Sequence, residues 1–108
     1  MPLPGKPVRG SRSGRPIMAL LDLLGRRWAL RILWELREGA LGFRELQARC
    51  DAMSPSVLHQ RLNELEAHRL AARNGEGAWT LTAQGAELVR ISTPLARWAE
   101  AWATTLRR

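Results

Sequence analysis

The sequence predicts a mainly α-helical domain with one small β-hairpin. Three observations lead there. Pro16, the pair Ser54-Pro55 and Thr82 are helix-start residues, and each precedes apolar residues that recur at helical spacing. Residues 70–81, LAARNGEGAWTL, instead alternate around "NGEG", which is turn chemistry because Asn and Gly tolerate positive φ. The chain has 108 residues, the length of one domain, and 45% of them are hydrophobic.

Residues 1–15, MPLPGKPVRGSRSGR, hold three prolines, three glycines, two serines, four basic residues and no acid. No packed face can form from them, and they read as a flexible basic arm. The domain is expected over 16–108. PIMALLDLLG (16–25) predicts a first helix, with proline at its first position and Gly25 as its stop. RRWALRILWELREG (26–39) predicts a second, with Trp28, Ile32, Leu33 and Leu36 on one stripe and Gly39 ending it. FRELQARC (43–50) predicts a short third helix with Phe43 and Leu46 pointing inward. After the turn DAM, Ser54 caps a fourth helix that begins at Pro55 and runs to about His68, burying Leu58, Leu62 and Leu65. Two short strands follow, Trp79 and Leu81 alternating with Ala78 and Thr80. Thr82 caps a long last helix, which Pro94 is expected to kink or split, with Thr93 capping its second half. Two short, closely linked helices followed by a hairpin make a winged helix-turn-helix.

The net charge is +7, the pI about 11.5, and sixteen of the seventeen basic residues are arginine. Such a balance favours a polyanionic partner, and arginine suits phosphate and guanine through its planar fork. No apolar run approaches the ~20 residues of a membrane span. The basic N-terminus is not followed by the apolar stretch of a secretory signal. The chain is expected in the cytoplasm, with no membrane partner. Cys50 is the one cysteine, which excludes an intramolecular disulfide and a Cys/His metal cluster. A lone cysteine at the end of the third helix reads as a packed residue. No nucleophile–histidine motif, phosphate-cradling glycine loop or carboxylate pair is evident, so no enzyme, catalytic residue, metal or cofactor is expected.

On the fourth helix Ser56, His59, Gln60 and Asn63 cluster opposite the leucine stripe. On an isolated helix this face is a solvated surface. In a helix-turn-helix the same side chains reach base edges, Asn and Gln pairing with adenine. Five arginines are candidates for phosphate: Arg26 and Arg27 opening helix two, Arg44 opening helix three, Arg73 beside the wing turn, and Arg61. Arg61 lies beside the leucine stripe, so it either clamps a phosphate or pairs with an acid such as Glu45 inside the domain. Leu88, Ile91, Leu95, Trp98 and Trp102 make an apolar stripe on the last helix, either domain core or a dimer interface; the aromatic content favours the interface. Trp28, Trp34 and Trp79 read as core.

The stretches LDLLGRRWALRILWEL (21–36), GFRELQARCDAMSPSVLHQRLNELEAHRL (42–70) and WTLTAQGAEL (79–88), in this order, resemble the HxlR-type winged helix-turn-helix regulators, bacterial transcription factors related to the MarR group. The resemblance implies a homodimer whose first and last helices pack across the twofold. It also implies a fourth helix in the DNA major groove, and transcriptional regulation, often in response to reactive small molecules. Three departures stand out. Many members have Cys-Pro before the first helix, whereas this chain has Arg15-Pro16, so cysteine-based sensing is not carried over. Arg69 stands where the family often has glycine, and the wing turn lacks a long basic tip.

The expected function is a sequence-specific DNA-binding regulator, a homodimer on a near-palindromic operator in double-stranded DNA, with a small-molecule effector of unspecified identity. The alternative is a winged-helix module for non-specific nucleic-acid or protein contact. The ratio of specific to random DNA affinity separates them.

Overall fold

The computed structural model describes residues 15–107. Among them are, in order, α1 (Pro16–Leu24), α2 (Ala29–Glu35), α3 (Phe43–Arg49), α4 (Pro55–Ala67), β1 (Ala71–Arg73), β2 (Trp79–Leu81) and α5 (Ala83–Leu106). This is the predicted mainly helical architecture with its small wing. The arm expected over 1–15, apart from Arg15, and Arg108 lie outside the described residues.

Proline at its first position starts α1, and the Gly25 N–H closes it on the Leu21 carbonyl at 2.8 Å. α2 departs from expectation. Arg26, Arg27 and Trp28 do not form its first turn; they belong to the reversal between α1 and α2, and the helix starts at Ala29. Trp28 sits at φ +78°, a left-handed conformation rare for a bulky residue. Four residues must turn the chain so that both Leu23 and Ala29 reach the core, and no local propensity announces that. The Trp28 ring packs against the core, with the Arg27 guanidinium 5.7 Å from its centroid. α2 also ends early, at Glu35, and a turn leads to Gly39 at φ +151°.

α4 follows the sequence reading closely. The Ser54 hydroxyl accepts the Val57 N–H, Pro55 opens the helix, and Leu58, Leu62 and Leu65 are completely buried. Burial of three leucines contributes roughly 1.5–3 kcal/mol each, which anchors α4 against Ile32, Leu33, Leu36 and Leu46 in one core. Its end is a Schellman closure. The Leu70 N–H bonds the Leu65 carbonyl and the Arg69 N–H bonds the Glu66 carbonyl, both at 2.9 Å. Arg69 therefore holds the left-handed position, φ +58°, that the motif reserves for glycine. Arg69→Gly is expected to raise stability by up to about 1 kcal/mol, because left-handed backbone costs a side-chain-bearing residue about 1–2 kcal/mol and glycine returns part of this as chain entropy. Chemical denaturation checks it, and a lower midpoint would contradict it.

The wing pairs Ala71 with Leu81, Ala72 with Thr80 and Arg73 with Trp79. Its turn is built by the Asn74 side chain, whose Oδ1 accepts the N–H groups of Glu76 and Ala78 at 2.9 and 3.0 Å, while Gly77 takes φ +81°. Leu41 pairs with Trp79, each N–H donating to the other's carbonyl, so the loop before α3 covers the far edge of β2. At the start of α5, the Thr82 hydroxyl accepts the Gly85 N–H and donates to the Arg69 carbonyl at 2.6 Å, fastening the helix to the end of α4. α5 is one helix of 24 residues; Pro94 does not split it. Thr93 does not cap a second half: its hydroxyl donates back to the Val89 carbonyl, and Ser92 does the same to Leu88. Pro94 itself is exposed.

Candidate nucleic-acid interface

α3, the turn over 50–54 and α4 set the geometry of the site. Cys50 ends α3 fully buried, and Asp51 and Ala52 take consecutive left-handed conformations at φ +57° and +55°. The Gln47 amide donates to the Met53 carbonyl at 2.8 Å and braces this turn from inside. From outside, Arg31 of α2 donates to the Arg49 carbonyl at 2.8 Å and to Glu35, with Asp51 3.9 Å away. Burial pushes the Cys50 thiol above its ordinary value; Arg31 opposes this and Glu35 and Asp51 add to it. A buried thiol with a raised pKa is poor in thiolate, as expected of a packed cysteine.

With its leucines locked inside, α4 turns Ser56, His59, Gln60 and Asn63 outward, and all four are exposed. They are not equivalent. The His59 ring stacks on Phe43 of α3, centroids 4.1 Å apart and planes 24° apart, which leaves its edges free but occupies one face. The Ser56 hydroxyl lies 2.9 Å from that of Ser54. The Gln60 and Asn63 amides have no protein partner among the described residues. Paired hydrogen-bonding groups held on a rigid helix without internal partners can meet base edges in a groove.

The five arginines separate into two groups. Arg44 is exposed and unpaired among the described residues. Arg27 and Arg73 are exposed, lying over Trp28 and Trp79 at 5.7 and 4.8 Å. Arg61 turns inward: its Nε donates to the Arg27 carbonyl at 2.9 Å and its terminal nitrogen to Glu64 at 2.8 Å. The partner acid is Glu64, not Glu45, which pairs with Arg49. Arg26 also faces Glu64, at 3.6 Å. Arg61 and Glu64 are neighbours three residues apart on α4, which helix spacing alone provides; the packing of the 25–28 turn against α4 brings Arg26 to the same carboxylate.

On α5 the stripe divides. Leu88 is buried in the chain's own core with Val89, so it leaves the set of outward-facing residues. Ile91, Leu95, Trp98 and Trp102 remain half or more exposed, and the Trp98 and Trp102 rings stack at 5.7 Å. Three apolar residues join them unforeseen: Leu106 on α5, and Ile17 and Leu21 on α1. Their signal was the spacing, four residues in each helix, continuing the stripe. An open apolar cavity of about 430 Å³ lies between α2 and α5, lined by Leu30, Trp34, Val89, Leu95, Ala96 and Ala99 among others. Among the described residues, no helix is long and apolar enough to cross a membrane.

A helix-turn-helix with a two-stranded wing and an outward polar face on its second helix is the architecture of winged-helix transcriptional regulators. The chain belongs to one family of them: the model of the HxlR-like helix-turn-helix family matches residues 23–107. It is 31% identical over 88 residues to an HTH-type transcriptional regulator, YvaP, of Bacillus subtilis, spanning 76% of this chain and 82% of that protein. Its fold is similar to quinone-bound YodB of B. subtilis, with a TM-score of 0.73 and 29% identity over 79% of this chain and 96% of that one. It is similar too to a MarR-family regulator of Enterococcus faecalis, with a TM-score of 0.72 and 28% identity over 85% and 89%. The chain is a transcriptional regulator of this helix-turn-helix type, a class without enzymatic activity.

Proposed function

We propose that the chain binds double-stranded DNA sequence-specifically as a homodimer, placing α4 in the major groove of each half of a near-palindromic operator. The observation that carries this is the pair Gln60 and Asn63, exposed and without partners among the described residues, on a helix anchored by three buried leucines. Ser56 and the edge of His59 flank them. Arg27, Arg44 and Arg73 are the phosphate contacts, while Arg26 and Arg61 act through the protein. The second copy seats on the exposed stripe of α5 and the outer face of α1, because seven exposed large apolar residues on these two helices are more than an isolated domain usually leaves to water. A twofold dimer puts its two reading helices about one DNA turn apart, roughly 34–36 Å.

The operator is obtained by selecting, from random duplexes, those the chain retains. Gln60→Ala and Asn63→Ala are then each expected to cost roughly 1–3 kcal/mol on the operator, with selectivity relaxed at one position per half-site. Arg44→Ala is expected to weaken operator and random DNA alike, lowering the log–log salt slope by about 0.9 for each phosphate no longer neutralised. Competitive titration at several salt concentrations reads both. If both amide variants keep full operator preference, the face is a solvated surface. A wild-type chain without preference for any duplex favours the non-specific module instead.

A further inference from the structure

We propose that Arg61 and Glu64, on the flank of α4, are positioning residues for DNA reading: they lock the recognition helix to the 25–28 turn, so that the base-facing side chains and Arg27 meet the duplex in one register. This rests on the reading of α4 given above. One guanidinium makes two bonds in different directions, to the backbone carbonyl of Arg27 at 2.9 Å and to the Glu64 carboxylate at 2.8 Å. The other Glu64 oxygen faces Arg26, whose Nε is buried without a hydrogen-bond partner among the described residues. The Arg61 and Glu64 side chains are only 14% and 15% exposed.

Charges so well covered are costly to desolvate, and apolar side chains of the same size would hold the two segments together as well or better. An arginine fork adds direction, because its planar donors accept only one arrangement of partners. The acceptor is the carbonyl of the very residue whose side chain faces outward beside the duplex, so a shift of Arg61 displaces Arg27 relative to Gln60 and Asn63. The turn needs such a fastening, since Trp28 within it is left-handed and Arg26 and Arg27 lie outside α2.

The test uses the full chain, a duplex selected by the wild type, and a random duplex of equal length. Its variants are Glu64→Gln and Arg61→Lys, with thermal melting and dimer mass measured on each. General electrostatics and positioning predict opposite signs for Glu64→Gln. Removing a negative charge near DNA tightens operator and random DNA alike, whereas losing the register weakens the operator alone. The expected result is an operator-to-random preference lower by about tenfold or more, as for one misaligned bidentate base contact, with random DNA bound as well as before or better. Arg61→Lys keeps the charge but not the fork, so it is expected to lose operator preference at an unchanged salt slope on random DNA. Wild-type preference retained in both variants overturns the proposal. So does loss of the folded dimer in both, which would make the cluster a structural element only. A wild type without operator preference removes the reading of α4 itself, and this proposal with it.

Discussion

Trp98→Glu combined with Trp102→Glu is expected to convert the protein to a folded monomer. Both rings are half or more exposed in the single chain and stack on each other rather than entering the core, so their replacement leaves the domain's own packing intact. In the proposed dimer the same rings lie in an apolar contact across the twofold, together with Ile91 and Leu95. Buried aromatic anchors at interfaces carry about 2 kcal/mol or more each. Each ring occurs twice in the dimer, and although such contributions do not simply add, the four together are expected to contribute about 4 kcal/mol or more, close to a thousandfold in the dimer dissociation constant. Four carboxylates brought together at one twofold add repulsion. Light scattering is expected to show the mass halved, with unchanged circular dichroism. An unchanged dimer mass would remove α5 from the interface, and a monomeric wild type would remove the dimer altogether. Operator affinity should fall with the mass, because a single reading helix engages one half-site.

Gly85→Ala is expected to destabilise the domain by about 3 kcal/mol or more, at the upper end of what overpacking costs. A methyl group at this position would lie 2.0 Å from the Leu70 carbonyl oxygen, with the Leu81 side chain 3.3 Å away. The first of these is backbone and cannot rotate aside. It is also in use: the Thr82 N–H donates to the Leu70 carbonyl at 3.1 Å, and the Thr82 hydroxyl holds Arg69. Making room would pull the first turn of α5 away from the end of α4 and disturb the Schellman closure there. For a domain of ordinary stability that loss is a large fraction of the whole. Gly75→Ala, in open space at the wing turn, is the control and should stay within about 0.5 kcal/mol. Equal midpoints for the two variants in urea would show that the contact between α5 and Leu70 yields more readily than its geometry implies.

Arg69 and Gly85, the sites of the two stability effects, lie in one segment. The end of α4, Arg69 and the start of α5 form a continuous junction, so the helix proposed to read the duplex is tied directly to the helix proposed to meet a second copy. The apolar cavity between α2 and α5 shares Leu95 with the exposed stripe.

Features under local chemical control were legible in the residues alone. Pro16, Ser54 and Thr82 start helices because a fixed φ or a side-chain oxygen satisfies the first turn, whatever packs nearby. Asn74 and Gly77 turn the wing for a similar reason, and Leu58, Leu62 and Leu65 share one face because 3.6 residues make a turn. Periodicity names a face but not what the face meets, and that was settled by packing in three dimensions. Packing sent Leu88 inward and left Ile91, Leu95, Trp98 and Trp102 outside, although all five continue one stripe, because only the first part of α5 overlies the core. It withdrew Arg26, Arg27 and Trp28 from α2, since the distance between α1 and α2 demands a reversal that helix propensity opposes. It carried the Arg61 guanidinium to the Arg27 carbonyl, brought Arg26 to Glu64 and stacked His59 on Phe43, because these partners lie on different elements and only the backbone geometry brings them together; the Arg61–Glu64 pair itself, three residues apart on α4, follows from helix spacing.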